Sequence, residues 1–280
     1  MKRASAAWKW SLGVVARSYR TVVVLAALIA FWAWAAYQWL GLPESSALLL
    51  ILAFIWAIVQ LLAAVVIATG TVSGAAETAA TEGRNVPLRS LWTINRKQLL
   101  SALIFCIISV VILWTCGGLF GLVNSYSVEV ASFLTFHSGK PVSHVLIEEI
   151  YNVIEGLLWI VLSGFLLSFF IALLRGGWRG AGKQTGELLA GCAYRTPFLT
   201  NLLSVAVFGG IAYELVNWHP MVPAGFWDYT QMLVRFSLAL ILISAGLLFW
   251  SLSLARLQVP KQDTPKEGSP APEVSEDLPR

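Results

Sequence analysis

Charge is scarce in this chain. Asp, Glu, Lys and Arg make up 12% of 280 residues, hydrophobic residues make up 58%, and the mean hydropathy is +0.73. A soluble domain of this length cannot hide so much apolar surface in one core. A formal net charge of only +4 is no signature of a nucleic-acid binder either. Cysteine is nearly absent: Cys106 and Cys116 fall in one apolar run, and Cys192 lies in a basic stretch. That leaves no basis for a disulfide framework or for cysteine-based metal-ligand spacing. Proline is sparse, and five of its eleven copies sit beyond residue 256 among Lys, Glu, Asp and Ser. That composition predicts a disordered tail over 256–280.

What remains is apolar sequence in long runs. Each of about twenty residues is enough to cross ~30 Å of hydrocarbon as helix, the one open-ended element that satisfies its own backbone in lipid. Six such spans are read, over 21–40, 46–69, 99–123, 151–174, 198–218 and 230–255. The fold expected is all-α: a polytopic integral membrane protein whose membrane domain, 21–255, is a six-transmembrane-helix bundle. It follows a basic N-terminal segment, 1–20.

The few charges are distributed by side. Seventeen of the nineteen Lys and Arg residues fall in residues 1–20, 84–97, 175–195 and 256–280, which the spans place on one side. Only Lys140 and Arg235 belong to the other. By the positive-inside rule both termini are cytoplasmic, an N-in/C-in arrangement in a bacterial-type inner membrane. Against the seventeen cations stand eight acids, whereas the outer side has seven acids. The inner face suits anionic headgroups, at roughly 1 kcal/mol per nearby cation. Residues 33–35, Ala-Trp-Ala, match a signal-cleavage pattern, but the basic region before them is long and the apolar run continues past them; the first helix is read as uncleaved. Trp39, Trp218 and Trp227 mark the outer boundary, and Trp8, Trp10, Trp92, Trp178 and Trp250 the inner one.

The connections are read more coarsely. Gly41, Pro43 and Ser45 make a tight first hairpin. The Ala-rich stretch 73–80 extends the second helix, Pro87 breaks it, and Leu88, Leu91, Trp92 and Ile94 among Arg89, Arg96 and Lys97 suit a short interfacial helix. Gly139 and Pro141 divide the long outer loop 124–150, with Ser143 as the N-cap of the next helix. Residues 175–197 read as a glycine-rich basic loop, and His219 to Tyr229 as a short outer loop. Tyr19-Arg20-Thr21 before span one and Tyr194-Arg195-Thr196 before span five hint at three repeated hairpins, though an Arg at the inner end of a helix is routine anchoring.

Candidate chemistry is thin. Residues 177–184, GWRGAGKQ, miss a phosphate-binding loop by one position: Gln184 stands where Ser or Thr would hold magnesium, and no strand precedes the glycines. His144 and Glu148 share a helical face, and with His219 they are the candidates for an outer metal site or for lipid chemistry. No HExxH pattern supports this, so neither metal nor cofactor is expected. Glu155, Glu214 and Arg235 lie at membrane depth, where charge is costly and tends to be paired. Glu214 and Arg235 are expected to face each other across spans five and six, with Glu155, Tyr213, Asn217 and Gln231 nearby. Gln60, mid-span, is expected to hydrogen-bond a neighbouring helix, and small-xxx-small pairs at Gly117/Gly121, Gly164/Ser168 and Ala206/Gly210 to permit close packing.

This composition favours a non-enzymatic membrane component, either a transport-associated subunit or a scaffold. The alternatives are a small secondary transporter or channel using Glu155, Glu214 and Arg235, and an outer-face enzyme acting on lipid through His144 and Glu148. No nucleic-acid partner is expected.

Overall fold

A computed structural model describes residues 2–41, 46–194, 196–218 and 226–259. Pro43, Ser45, Arg195, His219 and the tail from 260 onward lie outside the described residues. Those described are almost entirely helical, with no strand among them. We number the helices α1 (Lys2–Arg17), α2 (Tyr19–Leu40), α3 (Ala47–Ala80), α4 (Arg96–Ser125), α5 (Ser127–Ser138), α6 (His144–Tyr194), α7 (Thr196–Leu203), α8 (Gly210–Asn217) and α9 (Phe226–Gln258). A six-residue π-helical segment, Ser204–Gly209, joins α7 to α8. Six helical units are long and apolar enough to cross a membrane: α2, α3, α4, α6, the α7–α8 unit and α9.

The spans agree with the sequence reading, but the connections differ in an instructive way. The N-terminal basic segment is helical: Ala4, Ala7, Ser11, Val14 and Ser18 repeat every three to four residues and are buried, with α9 as the main neighbour of α1. The long connection 124–150 is largely helix too, α5 ending at Gly139 in the left-handed region with φ 65°. Residues 175–194 are helix, not a glycine-rich loop. Only Gly177 departs, with φ 65° and ψ −175°, and it kinks α6 there. The expected interfacial helix after Pro87 is one 3₁₀ turn, Leu88–Leu91, and α3 already stops at Ala80, seven residues before that proline.

Burial is concentrated at the end of the bundle that holds the N-terminus and the basic connections. Val65, Val72, Ala76 and Ala79 of α3 pack with Ala102 and Phe105 of α4, Phe170 and Ile171 of α6, and Leu254 and Ala255 of α9. A second cluster joins Val14 of α1, Val22 of α2, Ala75, Val86, Leu248 and Leu252. The sequence explains the location: residues 69–80 of α3 are nearly all Gly, Ala, Ser and Thr, so helices approach closely there. Thr69, Thr71 and Thr78 turn their hydroxyls back onto carbonyls one turn earlier, which hides them without a partner helix.

Toward the opposite end fewer side chains are buried. Leu48, Phe54, Trp114, Phe136, Val153 and Leu233 are all exposed, as side chains facing lipid should be. There the helices are held in pairs. The indoles of Trp32 and Trp39 donate to the carbonyls of Gln60 and Ala53, each at 2.9 Å, and that of Trp56 donates to Ala35 at 3.2 Å, tying α2 to α3. Phe120 meets Trp159 edge-on, with ring centroids 5.9 Å apart, tying α4 to α6.

Candidate functional site

The basic end is fastened by two arginines. Arg175 of α6 donates to the carbonyls of Ala76 on α3 at 2.9 Å and Ala255 on α9 at 3.2 Å. One guanidinium thereby ties three helices; the Ala255 carbonyl belongs to the last turn of α9, where intrahelical donors run out, and the Ala76 carbonyl lies just before the last turn of α3. Arg256 of α9 reaches Glu82 at 2.7 Å and the Ala79 carbonyl at 3.4 Å, and lies over the Trp10 ring. Glu82 itself adopts φ 53° just past the C-terminus of α3. In the sequence these arginines count only as cations of the basic segments; in the structure they reach carbonyls, which no residue pattern advertises, and Arg256 also reaches Glu82.

The expected intramembrane cluster does not assemble. Phe208 packs on Gly246 and stacks near Phe249, with centroids 5.4 Å apart, and this sets the level of the π segment against α9. Counted outward from there, Glu214 stands level with about Leu240 to Ile243. Arg235 lies five to eight residues farther out, roughly 8–12 Å at helical rise. Glu214 is exposed on a groove of about 940 Å³ lined by Val205, Gly209, Tyr213, Asn217 and Trp218. Arg235 is 8% exposed, and its Nε and Nη1 find no acceptor. Glu155 accepts from the Trp159 indole on its own helix at 3.0 Å. Gln60 contributes its backbone carbonyl to α2, not its side chain, whose Oε1 has no donor.

Of the expected histidine–carboxylate group, His219 lies outside the described residues, and His144 and Glu148 have separate surroundings. Glu148 accepts from the Ser127 hydroxyl at 3.3 Å, joining α6 to α5. His144 is exposed beside a pocket lined by Val128, Thr135, Phe136 and Val142. Among the described residues no three His, Cys, Asp or Glu side chains converge as metal ligands. Residues 178–184 continue as helix beyond the break at Gly177 and not as the loop between strand and helix that a phosphate-binding motif requires.

Sequence reasoning missed a buried polar group between spans five and six. Asn201 of α7 is fully buried, accepts from the Trp250 indole at 2.7 Å and packs on Gly164 of α6, where any side chain would displace it. Its Nδ2 and the Ser204 hydroxyl have no partner. Ser204, Phe208, Gly246 and Trp250 line a cavity of about 170 Å³ that shares Val205 and Gly209 with the Glu214 groove. Ser168 and Cys192 lie 3.7 Å apart and line a pocket of about 530 Å³ at the basic end. Asn201 sits one turn after Pro197, where a polar residue reads as helix-end solvation; only the bundle puts it inside. Comparison with family models, with curated proteins and with solved structures gives no match.

Proposed function

We propose that the protein is a non-enzymatic component of a cytoplasmic (inner) membrane, N-in and C-in, serving as a scaffold or a transport-associated subunit. One observation carries the reading: a bundle fastened at its basic end by Arg175 and Arg256, with exposed apolar helix faces toward the other. Such a body is rigid where it meets the cytoplasm and offers broad helix faces for other membrane helices to pack on. Buried area alone does not hold helices together in lipid, so partner contact would use shape and small residues.

The test is photocrosslinking from Phe54, Trp114 and Phe136 in native membranes. Defined crosslinks to one membrane protein support the reading; crosslinks to lipid at all three sites overturn it. Reporter fusions at Thr93 and after Gln258 test the orientation.

A second reading, a small secondary transporter, draws on the π segment. π turns leave a backbone carbonyl without its usual donor and often mark working sites, and here one separates the Glu214 groove from the Ser204 cavity. Cysteine accessibility at Ser204 and Glu214 decides between them. Reaction of both with a water-soluble reagent favours transport, and protection of Ser204 favours the scaffold.

A further inference from the structure

We infer that the connection between α3 and α4 is a built binding ledge for anionic phospholipid headgroups, distinct from the general basic character of that end. The chain here does not hang into solvent. α3 passes Gly70 about 35 Å along its axis from Ala47, already beyond ~30 Å of hydrocarbon, and runs on to Ala80. The connection then folds back along α3, so that Leu91 and Ser90 press on Gly70 and Gly74. A Cβ at Gly70 would stand 2.6 Å from the Leu91 carbonyl oxygen. The turn Leu88–Leu91 is thereby returned to headgroup depth.

It is also pinned from the other side. The Val86 amide donates to the Ser18 hydroxyl at 2.8 Å, and the Thr21 hydroxyl donates to the Val86 carbonyl at 2.9 Å. Val86, Ser90 and Leu91 are buried. What this rigid turn leaves exposed is a mixed set: Leu88 and Trp92, 41% and 57% exposed, between Arg84, Arg89, Arg96 and Lys97. Ser18 and Thr21, which hold the turn, are flanked by exposed Arg17 and Arg20. The acids in range do not neutralise this set: Glu82 is taken by Arg256, and Glu77 is one charge among six cations. An indole and a leucine inserted among fixed cations match a lipid, whose phosphate takes the cations while its glycerol and acyl region takes the rings. Because the turn is ordered before any lipid arrives, binding costs little conformational entropy.

The site needs only that this turn meets a bilayer surface; the proposed orientation merely says which leaflet supplies the lipid. The test is lipid carried through purification of the full chain from nanodiscs of phosphatidylcholine with one-fifth phosphatidylglycerol. Wild type should retain phosphatidylglycerol above its share. Retention should fall about tenfold or more in R84Q/R89Q/R96Q/K97Q, and fall in W92S with all charges kept. A control K9Q/R179Q/K183Q, at the same end but off the ledge, should retain it. Equal loss in ledge and control variants would reduce the effect to general charge and overturn the site, as would unchanged retention in both ledge variants. All substituted side chains are exposed, and elution volume checks folding. A fusion at Thr93 reporting the outer side, with selective retention intact, would sink the orientation and leave the ledge standing.

Discussion

Arg256 and Glu82 meet at 2.7 Å across the basic end, yet they contribute unequally to holding it closed. The carboxylate is 69% exposed and the arginine side chain 29%. An ion pair so open to solvent contributes about 0–1 kcal/mol. The arginine also holds a carbonyl of α3 and covers Trp10, contacts that survive loss of the acid. E82Q should therefore leave the detergent melting temperature nearly unchanged, while R256A should lower it clearly. Equal effects would show that the ion pair, not the carbonyl and ring contacts, is what matters.

Gly70 and Gly74 have no room for a side chain against the turn at Leu88–Leu91. G70V should cost about 1–3 kcal/mol or detach the turn. Limited proteolysis at Arg84 and Arg89 reads this directly: both sites should resist trypsin in the native protein and be cut quickly in G70V.

Trp250 and Asn201 are coupled by one short hydrogen bond in the buried seam. A double-mutant cycle of W250F and N201A should give a coupling of about 0.6–2 kcal/mol. A coupling near zero would mean that the amide prefers another partner in the membrane.

Arg235 is buried without an acceptor for Nε or Nη1, and among the described residues it forms no ion pair with Glu214. The swap R235E/E214R should therefore fail to restore whatever expression R235E loses. R235M should express as well as wild type or better, since it removes an uncompensated charge and keeps the apolar stem. Restoration by the swap would show that the two helices slide into register in the bilayer.

The spans were legible because hydrocarbon imposes a local rule: about twenty apolar residues must satisfy their own backbone, and they do so as helix. The extension of α3 through 73–80 was legible for the same local reason, Ala favouring helix wherever the chain goes. The helix over 178–194 was not, because glycines at 177, 180 and 182 look like loop. Only Gly177 takes a non-helical conformation; Gly180 and Gly182 stay helical. The missed polar contacts share one cause. Trp32, Arg175 and Arg256 bind backbone carbonyls, which every residue has, so no side-chain pattern points to them.

The sequence by itself determined that six apolar helices alternate with basic and acidic connections, because length, hydropathy and charge are counted along the chain. Only the tertiary structure decided which polar groups meet. It placed Glu214 and Arg235 at different levels, sank Asn201 into the seam and folded the Trp92 turn back onto Gly70. The reason is geometric: contact between helices depends on their axial register and rotation. Both are set by how small residues let neighbouring backbones approach, not by the composition of either helix alone.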